Sequence, residues 1–199
     1  MMRGLYPITP DTADTDELLR KVEQVLKAGV AMLQYRNKSI SKDKRLLQAK
    51  ELAVLARGYG VPLIVNDDVD IALAVAANGA HLGKDDGELA AARARLAGKI
   101  LGVSCYDSLE NARAAVRAGA DNVAFGSVFP SPTKPGARRA PLPLFGHDLG
   151  VPLCAIGGIT LENAPALIAA GASLLAVITD LFDAPDIGAR AGQYLRLFS

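Results

Sequence analysis

Arg117-Ala118-Gly119-Ala120 closes an alanine-rich amphipathic stretch with a glycine and passes at once into an apolar run. The same junction occurs at Lys27-Ala28-Gly29-Val30, Ala77-Asn78-Gly79-Ala80 and Ala169-Ala170-Gly171-Ala172. Glycine at such a point is expected to act as a left-handed helix C-cap, a conformation that other residues reach only at a cost. The four glycines stand 50, 40 and 52 residues apart, roughly two strand–helix units per interval, so each junction precedes every second strand.

Filling in the intermediate strands gives eight: Leu5–Thr9, Val30–Tyr35, Pro62–Asn66, Ala80–Leu82, Ile100–Ser104, Asn122–Phe125, Pro152–Ile156 and Ser173–Ile178. Helical patterns occupy Asp14–Ala28, Lys42–Arg57, Asp68–Asn78, Gly87–Ala97, Leu109–Ala118, Leu161–Ala170 and Ile187–Leu197, with at most a short turn near Leu142–Leu149. Strands that alternate with helices imply a parallel α/β sheet. Eight units favour a closed (β/α)8 TIM barrel. An open doubly wound sheet is second, because no strand is followed by the glycine fingerprint of a dinucleotide turn.

A chain of 199 residues holds one sizeable core and is short for two, so residues 1–199 are read as a single catalytic domain. Half of the residues are apolar and tryptophan is absent, which suits an aliphatic interior. The net charge of +1 gives no basic field of the kind nucleic-acid binders use, so nucleic acid is set aside as a partner. The uncharged stretch Asn163–Thr179 is broken by Pro165 and Gly171 and is shorter than the ~20 residues of a membrane span. With no apolar signal segment at the start, a cytoplasmic protein without a membrane partner is expected. Two cysteines, Cys105 and Cys154, make no disulfide framework.

In a TIM barrel the chemistry lies at the C-terminal strand ends. Those positions hold Gln34, Arg36 and Lys38, then Asn66 and Asp67, then His81 and Asp86, then Ser104, then Ser131-Pro132-Thr133-Lys134, and finally Gly157-Gly158 and Ile178-Thr179. Gln34 and Arg36 share parity and one face, while Leu33 and Tyr35 turn to the helices. A single arginine at a strand end can simply be solvated; the set argues for a diphosphate site. Paired carboxylates with open positions are what Mg²⁺ uses when substrate phosphates supply its other ligands. Five acids compete for that role. Asp68 and Asp70 open a helix, where carboxylates are favoured without any ligand, and Asp85 can do the same near Gly87, so spacing leaves the choice open. Gly157, Gly158 and Thr179 occupy the usual barrel phosphate position, although the glycines could also make only a tight turn. The irregular segment Gly126–Pro143, with five prolines, reads as a partly rigid lid that carries Lys134 over the diphosphate.

Together these pieces resemble the thiamine-phosphate synthase family. The matching segments are Gln34-Tyr35-Arg36-Asn37-Lys38, Asn66-Asp67-Asp68, His81–Asp86, Gly102-Val103-Ser104, Ala124–Lys134, Ala155–Ile159 and Val177-Ile178-Thr179. The resemblance implies a Mg²⁺-dependent transferase that joins a hydroxymethylpyrimidine diphosphate to a thiazole phosphate and releases pyrophosphate. It implies that Gln34, Tyr35, Arg36, Asn37, Lys38, Asn66, Ser104 and Lys134 bind the pyrimidine diphosphate, with Arg36, Lys38, Ser104 and Lys134 stabilising the leaving group. Asp67 and Asp86 would hold Mg²⁺, and Ser131, Pro132, Thr133, Gly158, Ile178 and Thr179 the thiazole phosphate. Ser131 and Thr179 stand where the family usually has Thr and Ser, each keeping a hydroxyl; Cys105-Tyr106 after Ser104 departs from relatives that often carry a histidine at the second position. A thiazole tautomerase-like isomerase or a non-catalytic thiazole-phosphate-binding barrel are the rivals, and neither needs Asn66, Asp67, Asp86 and Lys134 together.

Overall fold

A computed structural model describes residues 2–130 and 139–199. The strands are β1 (Gly4–Pro7), β2 (Leu33–Tyr35), β3 (Leu63–Asn66), β4 (Gly79–Leu82), β5 (Ile100–Tyr106), β6 (Asn122–Gly126), β7 (Leu153–Ile156) and β8 (Leu174–Val177). The helices are α1 (Thr15–Lys27), α2 (Lys42–Gly58), α3 (Val69–Ala74), α4 (Leu89–Arg95), α5 (Leu109–Arg117), α6 (Ala164–Ala169), α7 (Thr179–Phe182) and α8 (Ile187–Arg196), with a 3₁₀ turn at Leu142–Gly146. Every strand pair is parallel, in the order β1-β8-β7-β6-β5-β4-β3-β2. The ring is completed between β1 and β2, where the Ala31 amide donates to Leu5 O at 3.0 Å and the Thr9 amide to Gln34 O at 2.9 Å. The expected barrel is present.

Period-2 alternation sorts the strand residues into two layers. Tyr6, Ile8, Met32, Ile64, Ala124, Cys154, Leu174 and Ala176 fill the inside of the ring. The intervening residues, among them Leu5, Leu33, Val65, Leu82, Val103, Phe125 and Leu175, pack outward against the helices in a much larger aliphatic cluster. Each such buried aliphatic side chain contributes roughly 1.5–3 kcal/mol. Both cysteines are buried and free, and desolvation pushes each thiol up to about 12. Inside the ring, the Gln34 Nε2 donates to the Tyr6 hydroxyl at 2.8 Å, so this buried polar pair is satisfied.

Side-chain caps start five of the eight helices among the described residues. Asp14, Ser41, Asp68, Ser108 and Asp186 each accept the amide three residues on, which relieves an orphaned donor at each N-terminus. Three of the four junction glycines behave as expected, with φ of 84° at Gly29, 91° at Gly119 and 112° at Gly171. Gly79 does not. Helix α3 ends at Ala74, well short of Asn78, and Ala76 takes the left-handed turn at φ 52°. Gly79 is the first residue of β4, and a Cβ there would lie 2.0 Å from Ile100 O; its glycine is required by close strand contact rather than by capping. Asp85 is likewise no cap: α4 begins at Leu89 behind Glu88, which makes no side-chain cap bond.

At the other end, the Arg3 guanidinium lies 5.2 Å from the centre of the Phe198 ring and donates to Phe198 O at 2.5 Å, which ties α8 beneath β1. None of the helices among the described residues is long and apolar enough to cross a membrane.

Candidate active site

The acids that spacing left open are separated by the structure. Asp68 caps α3, its Oδ1 accepting the Ile71 amide at 2.9 Å. Asp70 is exposed and pairs with Arg95 at 2.5 Å, and Asp85 points into solvent. Asp67 and Asp86 meet. Asp67 sits in the left-handed region at φ 63°, with its amide donating to His81 O at 2.8 Å, and its carboxylate lies 3.1 Å from the Lys38 Nζ. A non-glycine residue in that region is held there by its surroundings at a cost of ~1–3 kcal/mol. Asp86 Oδ2 accepts the Gly83 amide at 2.6 Å. Burial pushes the Asp86 carboxyl above its ordinary range, the Gly83 amide pulls it down, and the hydrogen-bonding Asp67 carboxyl pushes it up again. Two carboxyls this close favour one proton or one cation between them.

The basic groups beside them are organised by a residue that the strand-end reading passed over. Asp11, in the loop after β1, accepts from the Arg36 guanidinium at 2.9 Å and from the Lys38 amide at 3.0 Å. Thr9 supports the same turn, its hydroxyl donating to Arg36 O at 2.8 Å and accepting the Arg36 amide at 2.9 Å. The signal available for it in the sequence is an acid two residues beyond the first predicted strand, Leu5–Thr9. Tyr35 and Asn37 are buried beside the basic groups. The Tyr35 hydroxyl donates to Gln48 Oε1 at 2.9 Å, and Asn37 Nδ2 donates to Thr12 O at 2.6 Å and to Gln48 at 3.1 Å. Both buried side chains brace the loop between β2 and α2.

Asn66, His81 and Ser104 face the inside at successive strands. His81 is buried, its Nε2 is 2.9 Å from the Ser104 Oγ, and burial pulls its pKa to about 4, with the nearby Asp67 charge opposing. Its imidazole is therefore neutral at ordinary pH. Past a bulge at the end of β5, Tyr106 adopts φ 56° and its hydroxyl accepts the Lys84 amide at 3.3 Å. The Cys105-Tyr106 departure thus has a structural consequence: the tyrosine fastens the loop that carries Asp86.

Across the mouth, the described residues offer mainly backbone. Gly157 and Gly158 have φ of 101° and 65°, and a Cβ on Gly158 would lie 2.3 Å from Pro130 O. Asn163 secures this turn, accepting the Thr160 amide at 2.9 Å and donating to Gly158 O at 3.0 Å. Ile178 precedes the single turn of α7, which begins at Thr179. Its neighbour Asp180 is clamped from α8: Arg190 Nη1 reaches its carboxylate at 2.7 Å and its carbonyl at 3.1 Å, and the Tyr194 hydroxyl donates to the carboxylate at 2.7 Å. Ser131, Pro132, Thr133 and Lys134 lie outside the described residues, as does the whole of 131–138 within the proposed lid.

The strand order and the polar groups gathered at its C-terminal rim define a (β/α)8 barrel protein. The pattern of the thiamine monophosphate synthase family matches residues 5–181, and the chain belongs to that family. It is 58% identical to the thiamine-phosphate synthase of Aromatoleum aromaticum, over 99% of this chain and 97% of that protein. It is 57% identical to the thiamine-phosphate synthase of an Azoarcus species, over 100% and 98%. Among solved structures, thiamine phosphate pyrophosphorylase from Pyrococcus furiosus superposes with a TM-score of 0.87 at 31% identity, covering 98% of this chain and 95% of that one. A 3-hexulose-6-phosphate synthase superposes with a TM-score of 0.71 at 19% identity, which speaks to the fold alone.

Proposed function

We propose that the chain is a thiamine-phosphate synthase, a transferase that joins 4-amino-2-methyl-5-(diphosphooxymethyl)pyrimidine to 4-methyl-5-(2-phosphooxyethyl)thiazole and releases pyrophosphate. Its near-full-length identity to proteins of that name supports the reaction. The observation that carries the site assignment is the meeting of Asp67 and Asp86, beside Lys38 and Arg36, at the rim of one barrel.

The adjoining carboxyls of Asp67 and Asp86 suit Mg²⁺, which accepts one or two carboxylates and takes phosphate oxygens and water for the rest. When bound, Mg²⁺ supplies neutralisation of charge on the departing diphosphate, worth several kcal/mol. Arg36 and Lys38 add cationic donors on the same side, and Asp11 keeps the guanidinium and the Lys38 backbone in register. Gln34 and Asn66 face the interior, where the pyrimidine would lie. Ser104 would donate to the diphosphate. No nucleophilic side chain is required, because the electron-rich pyrimidine can part from its leaving group as a stabilised cation. Pyrophosphate leaves with the C–O bonding pair, and the thiazole nitrogen then attacks the cationic carbon with its lone pair, forming the new C–N bond. The backbone amides around Gly158 and at the start of α7 would grip the second phosphate, so that the nitrogen is held at attack distance. Lys134 is assigned to the diphosphate and Ser131, Pro132 and Thr133 to the thiazole phosphate on resemblance. The cytoplasm is the proposed compartment.

Incubating the purified protein with both substrates and Mg²⁺ tests the reading. Stoichiometric thiamine phosphate and pyrophosphate are expected, and absence of pyrophosphate would overturn it.

A further inference from the structure

Three neighbouring strands carry a polar row inside the barrel that the reaction as described leaves half unused. In register, His81 of β4 lies beside Gly102 of β5, and Gly102 lies beside Asn122 of β6. A Cβ on Gly102 would be 2.5 Å from His81 Nδ1 and 2.9 Å from Asn122 Oδ1. The glycine weakens its strand and makes room for two side chains to face each other above it. Both are deeply buried, His81 at 6% exposure and Asn122 at 1%. Among the described residues, His81 Nδ1 and Asn122 Oδ1 are two of only three buried side-chain polar atoms without a hydrogen-bond partner. Each such atom costs ~1–3 kcal/mol if left alone, and two facing one another call for a shared explanation.

We propose that Asn122, His81 and Ser104 form a hydrogen-bonded relay, in which the Asn122 carboxamide donates to His81 Nδ1 and so sets the proton that orients Ser104. A half-turn of the carboxamide exchanges its oxygen and nitrogen and presents an N–H to Nδ1. The neutral imidazole then carries its one proton on Nε2 and donates it to the Ser104 Oγ, 2.9 Å away. The hydroxyl proton of Ser104 is thereby released to point at the rim. The opposite tautomer would draw that proton to Nε2 and turn oxygen lone pairs toward an arriving anion. His81 and Asn122 are positioning residues that act through Ser104, and the inference rests on the assignment of Ser104 to the diphosphate.

The chain contains two histidines, and His147 is exposed, so ¹⁵N-histidine NMR of the intact protein reads His81 directly, with His147→Gln assigning the second ring. The expected wild-type spectrum shows a proton on Nε2 and a hydrogen-bonded Nδ1. In Asn122→Leu the Nδ1 resonance should move toward its unbonded position. Turnover should fall about 3- to 10-fold, the loss of one neutral hydrogen bond, with KM for thiazole phosphate unchanged. The same substitution should cost nothing further in a Ser104→Ala background. A wild-type proton on Nδ1, an unmoved Nδ1 resonance, or an equal cost in the Ser104→Ala background would each overturn the relay. Should the protein release no pyrophosphate at all, the synthase reading falls, while the nitrogen spectrum still decides the relay.

Discussion

The two sides of the barrel mouth are made of different material. From the loop after β1 to β5 the groups are mostly polar and charged side chains, each held by a partner: Asp11 by Arg36, Asp67 by Lys38, Asp86 by the Gly83 amide. From β7 to α7 the described groups are mainly backbone amides at Gly157 and Gly158 with the Thr179 hydroxyl, and the Asp180 carboxylate is turned back onto α8. Side chains can be tuned by protonation and by a cation, and they suit a leaving group whose charge grows during reaction. Backbone amides carry constant partial charge, and they suit a phosphate that is only held.

The largest effects should come from the side-chain half. Asp67→Ala and Asp86→Ala are each expected to lower turnover by ~10²-fold or more and to raise the Mg²⁺ concentration needed for half-maximal rate. Normal turnover of both variants at low Mg²⁺ would dissolve the distinction between the halves. In the backbone half, Gly158→Ala must place a Cβ 2.3 Å from Pro130 O at φ 65°. It should raise KM for thiazole phosphate at least about 10-fold, the equivalent of ~1.4 kcal/mol, with the pyrimidine KM far less affected. Titration separates the halves again. The folded-state pKa of His81, about 4, lies below the ordinary 6.5. The unfolded chain therefore takes up this proton first, and the associated stability, complete above pH 6.5, is lost as pH falls toward 4. Denaturant midpoints of wild type and His81→Gln should converge over that window; a constant gap would contradict a buried neutral imidazole. The smallest change is expected from Tyr194→Phe. Loss of its 2.7 Å bond to Asp180 should raise KM for thiazole phosphate about 2- to 5-fold, on the order of 0.5–1 kcal/mol, and leave kcat alone. An altered kcat would mean that α7 does more than hold.

Much of this was legible in the sequence because it followed from periodicity. Alternation assigned Gln34 and Arg36 to one face and Tyr35 to the other, and alanine-rich helices closed by glycine marked the strands. Contacts between segments distant in sequence were not legible. Gly79 shares its sequence context with Gly29 and Gly119, yet it is explained by the Ile100 carbonyl across the sheet. Asp11 gains its role from Arg36, and the Asp67–Asp86 pair is selected over Asp68 and Asp85 only when β3 and β4 lie side by side. The effect of Tyr106 depended on a bulge and a left-handed turn that no local propensity announces.

Arg3 resting on Phe198 brings the two extremities of the described backbone side by side under a ring already sealed by hydrogen bonds from Ala31 and Thr9. A sealed ring of this kind has no obligatory beginning. Splicing the extremities together and cutting a surface turn opposite the mouth, such as the one at Gly98, would yield a rearranged gene whose product keeps every strand neighbour, with the order of synthesis changed and the finished architecture not.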